Sequence, residues 1–149
     1  MKHFTVLHKI HSVLLLSLIT ITTLQAQTPP AEHYINSGNV TINAGSGDHI
    51  IIGTGATTAN YIVINSGYQG KVTLKNVNIK RTSGVSCINV LGEDGRSNMD
   101  PKTKVDVILD GTNNLTFTGT LNCAFQVNQG AQIHINATDQ NDNASGVLN

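Results

Sequence analysis

The side chains able to do acid–base or ligand chemistry are few and scattered. Lys80 and Arg81 adjoin one short apolar segment, while Asp106 and Asp110 lie along a later one. A polysaccharide lyase or hydrolase would need acids gathered in one place, with calcium or a basic residue to take a proton. Asp106 alternates with Val105 and Val107 and is expected to face outward. Lys80 and Arg81 are expected at a separate corner, so the two groups do not share a face and no catalytic residue is assigned. His33, His49 and His134 stand far apart in sequence, and each is expected to be an isolated solvated or stacked ring.

Binding chemistry has better material. The segment Gly92–Thr103 carries Glu93, Asp94, Arg96 and Asp100 within reach of one another, and long loops on rigid scaffolds commonly carry binding surfaces. Asp139, Asn141 and Asn143 have the spacing that opens a calcium loop, although Ala144 stands where the turn glycine belongs. Calcium is the one cofactor this pattern suggests; the competing expectation is a plain Asn/Asp turn. Sugars stack on exposed aromatic rings, and Tyr61 and Tyr68 are the expected platform: Tyr61 alternates with inward Ile62, and Tyr68 follows the turn at Gly67. Phe117 and Phe125 fall on inward positions. The two cysteines are expected on opposite faces, Cys123 inward and Cys87 outward, and therefore unbridged.

The elements that must position these residues are announced by composition. Of 149 residues only 12% are charged, while 14 are glycine, and all 17 asparagines lie beyond residue 35. That balance is poor for packed helices and too apolar for a solvated disordered chain, which leaves strands with frequent turns. Lys plus Arg equals Asp plus Glu at nine each, so nucleic acid has no electrostatic handle. Residues 1–26 combine Lys2 and Lys9, an apolar run from Val13 to Leu24, and a small residue at Ala26. This pattern predicts an export signal, with a secreted or surface location for the remainder. An amino-terminal membrane anchor is the competing expectation, disfavoured by the short run. No later apolar run is long enough to span a membrane. Residues 27–34 read as a polar leader.

From residue 35 to 149 short β-branched pairs alternate in the manner of strands with one buried face. They group in threes: Val40/Ile42, Ile50/Ile52 and Ile62/Ile64; then Val72/Leu74, Val77/Ile79 and Ile88/Val90; then Val107/Leu109, Leu115/Phe117 and Phe125/Val127. A fourth group begins at Ile133/Ile135. Turn-favouring Asn43, Asn76, Asp110 and Asn136 follow the first pair of each group, and Gly67, Gly92 and Gly130 follow the third. Turn residues recurring in register are what stacked coils require. The fold expected is all-β, a right-handed parallel β-helix of about three and a half coils, incomplete at its carboxyl end. A β-sandwich is the alternative.

Lys71–Ile79 (KVTLKNVNI) and Lys104–Phe117 (KVDVILDGTNNLTF) resemble the β-helical carbohydrate-binding surface proteins secreted by bacteria. The resemblance spans about residues 35–149. It implies a parallel β-helix, polysaccharide or cell-surface glycan as partner, and calcium on the coils, and it assigns no binding residue. The function expected is non-catalytic polysaccharide binding. The alternatives are a structural or adhesive surface repeat and, third, a lyase-like enzyme fragment. End-to-end association through an uncapped coil is a further expectation.

Overall fold

The computed structural model describes residues 28–93, 102–137 and 146–149. The predicted export signal lies outside them. Every strand pairing among the described residues is parallel. One sheet sets five strands side by side: β1 (Ala31–Tyr34), then β3 (His49–Ile52), β5 (Gln69–Lys75), β8 (Thr103–Phe117) and β10 (Ala131–Asn136). A second sheet runs β2 (Val40–Ile42), β4 (Ile62–Ile64), β7 (Ile88–Val90), β9 (Phe125–Val127). The long β8 continues past the first sheet, where its far half takes β6 (Asn78–Arg81) and its middle takes β11 (Gly146–Leu148). No described helix is long and apolar enough to cross a membrane.

Strand partners lie far apart in sequence because the chain alternates between the sheets. After β3 it touches β6 through a bridge at Thr58, passes to β4 in the second sheet, and returns to β5 in the first. Inward residues therefore stack in columns: Val40, Ile62, Ile88 and Phe125 form one, and Leu74 with Leu109 belongs to another. Ile42, Ile51, Ile62, Ile64, Leu74, Ile79 and Val90 are all at most 1% exposed. Each buried side chain of this size contributes roughly 1.5–3 kcal/mol. Ile35, on a short 3-10 turn after β1, is fully buried in the same cluster.

The register corrects the sequence-based grouping in five places. Val40/Ile42 stacks on Ile62/Ile64, not on Val72/Leu74. In β3 it is His49 and Ile51 that are buried, while Ile50 and Ile52 face out. The run His-Ile-Ile-Ile carries no alternation, so its phase is set by the neighbouring strands alone. Ile79, not Val77, lies opposite Leu115, and Ile135, not Ile133, lies opposite Val107. Finally, Ala31–Tyr34 is no leader: it is the end strand of the first sheet, in register with His49–Ile52.

Asparagine and glycine hold the corners. Asn76 adopts the left-handed region, with φ of 52°, and its Oδ1 accepts from Thr112 N at 3.3 Å. Buried Asn113 accepts from Val77 N through Oδ1 at 2.9 Å and donates through Nδ2 to the carbonyls of Asp110 and Gly111. Gly111 combines φ of 69° with an approach that would put a Cβ 2.2 Å from Asn76 Oδ1. A side chain there meets both strain and collision. Asparagine ladders do form, with partners set by the true register: Asn65 donates to Asn43 at 2.7 Å and Asn128 to Asn89 at 2.8 Å.

Candidate functional site

The outward face of the first sheet presents rows of side chains that the parallel register holds in line. One row runs Lys71, Asp106, His134, with His134 Nδ1 3.8 Å from Asp106 Oδ1. The next passes through Glu32, Ile50, Thr73, Ile108 and Asn136. A third runs Tyr34, Ile52, Lys75, Asp110, where Lys75 Nζ pairs with Asp110 Oδ2 at 3.2 Å. Asp106 is exposed, as its alternation with valines requires. A shallow groove between β8 and β10 is lined by Lys104, Asp106, Gln132 and His134. At the other end Tyr34 is 55% exposed and donates from Oη to Glu32 Oε2 at 3.3 Å. A face on which hydroxyl, amide, carboxylate and ammonium groups are interspersed with Ile50, Ile52 and Ile108 and flanked by the exposed Tyr34 ring can hydrogen-bond and stack on sugars.

The expected tyrosine platform is not there. Tyr68 is fully buried, donating from Oη toward the carbonyls of Gly47 and Lys71 at 3.0 Å each. Burial, reinforced by the nearby Asp48 charge, raises its phenol well above the usual tyrosine range. The turn at Gly67 points the ring into the interior, where its single hydroxyl proton is shared between the two carbonyls. Tyr61 is half-buried, and the Arg81 guanidinium lies over its ring, 4.7 Å from the centroid. That cation occupies the face a sugar would use.

Arg81 is itself committed to the backbone. Its Nε donates to Val85 O at 2.6 Å, Nη2 to Ser83 O at 3.2 Å, and Nη1 to Ala59 O. It pins the turn after β6 to the segment before β4. Lys80 sits beside Thr116 in register, well away from Asp106 and Asp110, so the lyase-type set does not assemble. Among the described residues there is no group of three His, Cys, Asp or Glu fit for a metal.

Two histidines that look isolated in the sequence are joined. His33 Nε2 lies 2.8 Å from His49 Nδ1, and His49 Nε2 lies 2.7 Å from Ser46 Oγ. The Ser46 hydroxyl donates to Asn43 O at 2.5 Å. A carbonyl can only accept, so the hydroxyl proton lies toward Asn43, and Ser46 Oγ must accept from His49 Nε2–H. His49 Nδ1 is then an acceptor, and His33 Nε2–H donates to it. The relay thus resembles a serine–histidine pair in distance but is oriented against one: His49 has no free lone pair toward Ser46 to act as its base. His49 is 5% exposed. Burial first, then the His33 charge, lower its pKa, against an opposing pull from Asp48. A cue was present in the sequence, since laying Ala31–Tyr34 over His49–Ile52 puts His33 opposite Ile51, on the same face as His49 and diagonal to it. Prolines upstream disguised that strand as a leader.

Of the loop residues, Glu93 forms an ion pair with Lys102, Oε2 to Nζ at 3.1 Å, where the two ends of the Gly92–Thr103 segment meet. Asp94, Arg96 and Asp100 lie outside the described residues, as do Asp139, Asn141 and Asn143. The cysteines are reversed from expectation: Cys87 is fully buried and Cys123 is exposed, both as free thiols. Ile88 does pair with Phe125, but alternation breaks at the corner before β7, where Ser86 and Cys87 are both buried. The Cys87 thiol donates to Thr116 O at 3.3 Å, and burial raises its pKa. Phe117 and Phe125 pack partly buried against the core. No family model, curated protein or solved structure matches the chain.

Proposed function

We propose that this chain is an exported parallel β-helix that binds a polysaccharide at the cell surface without cleaving it. Stacked inward columns, each element of a coil lying on its counterpart in the next, support the solenoid reading. Right-handed winding follows from the near-universal hand of parallel crossovers. The observation that carries the binding reading is the exposed Tyr34 ring on the same outward face as Glu32, Thr73, Lys75 and Asp110. The ring offers a stacking surface, and polar side chains spaced between isoleucines along the sheet offer hydrogen bonds and apolar contact, which suits an extended polymer more than a small molecule.

The arrangement favours binding over cleavage because Asp106 and Asp110 are engaged with His134 and Lys75 on the open face, away from Lys80 and Arg81. Calcium at Asp139, Asn141 and Asn143 remains part of the proposal. The second reading, an adhesive or structural surface repeat, is favoured by the loss of Tyr68 from the surface. A glycan array probed with and without calcium separates the two. Retention of a polysaccharide that drops at least about tenfold in Tyr34→Ala, equivalent to losing one stacking contact of about 1.4 kcal/mol, is the expected result. No glycan retained under either condition would overturn polysaccharide binding and leave the adhesive reading.

A further inference from the structure

We propose that the His33–His49 pair is a proton-operated latch, holding β1 on the first sheet at neutral pH and releasing it in acid. The inference is independent of the glycan reading. Among the described residues, β1 is the end strand of its sheet and pairs with β3 alone. Three of its four residues are exposed, so little apolar burial holds it. What fastens it are the backbone ladder, including Ala31 N to Asp48 O at 2.9 Å, and the 2.8 Å bond between the two rings, while buried Ile35 anchors the chain just beyond its carboxyl end.

The bond tolerates one proton and not two. A single proton can reside on His33 Nδ1, leaving Nε2–H as donor to His49. Once both rings are charged, every ring nitrogen carries hydrogen, and two N–H groups and two positive charges face each other across that gap. The groups facing His49 offer little relief. Ser46 in the preceding loop is a hydroxyl, and Tyr68 before β5 is a buried phenol with its ring centroid 5.8 Å away. Val72 on β5 and Ile51 on its own strand are apolar, and the Lys71 side chain belongs to the outward row with Asp106. Asp48 is the acid whose charge acts on His49 among the described residues, and its Oδ1 already accepts from Lys71 N at 2.9 Å. Glu32 and Tyr34 of β1 point outward, while His33 faces in. Relief therefore comes by separating the strands, which also opens the β3 edge to an extended partner strand.

Hydrogen–deuterium exchange on the full chain at pH 7.5 and 4.5, corrected for intrinsic rates, tests this. Exchange in residues 31–34 should rise at least about tenfold in acid while β4 and β7 stay protected. His33→Gln retains an amide donor for His49 Nδ1 and cannot be charged, so its β1 should stay protected at pH 4.5. Equal protection of wild-type β1 at both pH values, or simultaneous loss across all strands, would overturn the latch. Imidazole ¹⁵N shifts on the wild type decide the matter without the variant: both rings charged with β1 still docked would also overturn it.

Discussion

Two histidine contacts occupy opposite ends and opposite faces of one parallel sheet, and they do different things. His49 faces inward with 5% exposure, its Nδ1 2.8 Å from His33 Nε2. The His134 side chain is 74% exposed and meets Asp106 at 3.8 Å. Solvent screens the outer contact, so its net contribution is close to zero, and either partner can be solvated instead. The inner ring has no such alternative. Every nitrogen must find a partner inside the protein, which fixes tautomers and makes each added proton a conflict. The difference teaches that on this scaffold burial, and not residue type, converts a titratable side chain from a surface feature into a structural constraint.

The contrast can be broken or sharpened by mutation. The largest effect should come from the apolar floor beside the inner pair: Ile51→Ala is expected to cost about 3 kcal/mol by denaturant unfolding, since Ile51 is fully buried. A loss below about 1 kcal/mol would show that this interior relaxes and that the inner pair is not held in a rigid frame. Asn113→Ala should follow at about 2 kcal/mol, because it strands Val77 N and two carbonyls in a buried corner.

Acid should act next. The folded-state pKa of His49 lies below the ordinary 6.5, so the unfolded chain takes up the proton first. Its contribution to stability is therefore whole above pH 6.5 and is lost as pH falls from there toward the lowered folded value. Thermal melts across that range should show a falling midpoint in wild type and a shallower fall in His33→Gln, which removes the neighbouring charge. His134→Ala should do least, shifting stability by under about 0.5 kcal/mol at neutral pH. A loss there as large as that of Asn113→Ala would reverse the comparison.

Much of the architecture was legible because alternation and turn residues are local. The middle of the chain reads correctly: Val72/Leu74 does pair with Val107/Leu109, and Ile88/Val90 with Phe125/Val127, each bounded by turn residues on both sides. The amino-terminal strands read wrongly because His49–Ile52 has no alternating pattern and Ala31–Tyr34 has too few apolar residues to look like a strand. On the candidate face, Asp106 was correctly expected to point outward. Tyr68 was not expected inside, because a turn residue's direction depends on the neighbouring segments that receive it.

By itself, then, the sequence determined an all-β chain of short strands with asparagine and glycine corners, since period-two burial and turn chemistry act over a few residues. Tertiary structure decided which strand lies on which, and with it every contact between residues distant in sequence. It put His33 against His49, laid Arg81 over Tyr61, drew Tyr68 into the interior, and left Tyr34 on the surface. Parallel pairing joins strands that lie far apart in sequence, and that separation varies from pair to pair. Only the packed neighbours, and not the local pattern, fix the register on which the candidate face depends.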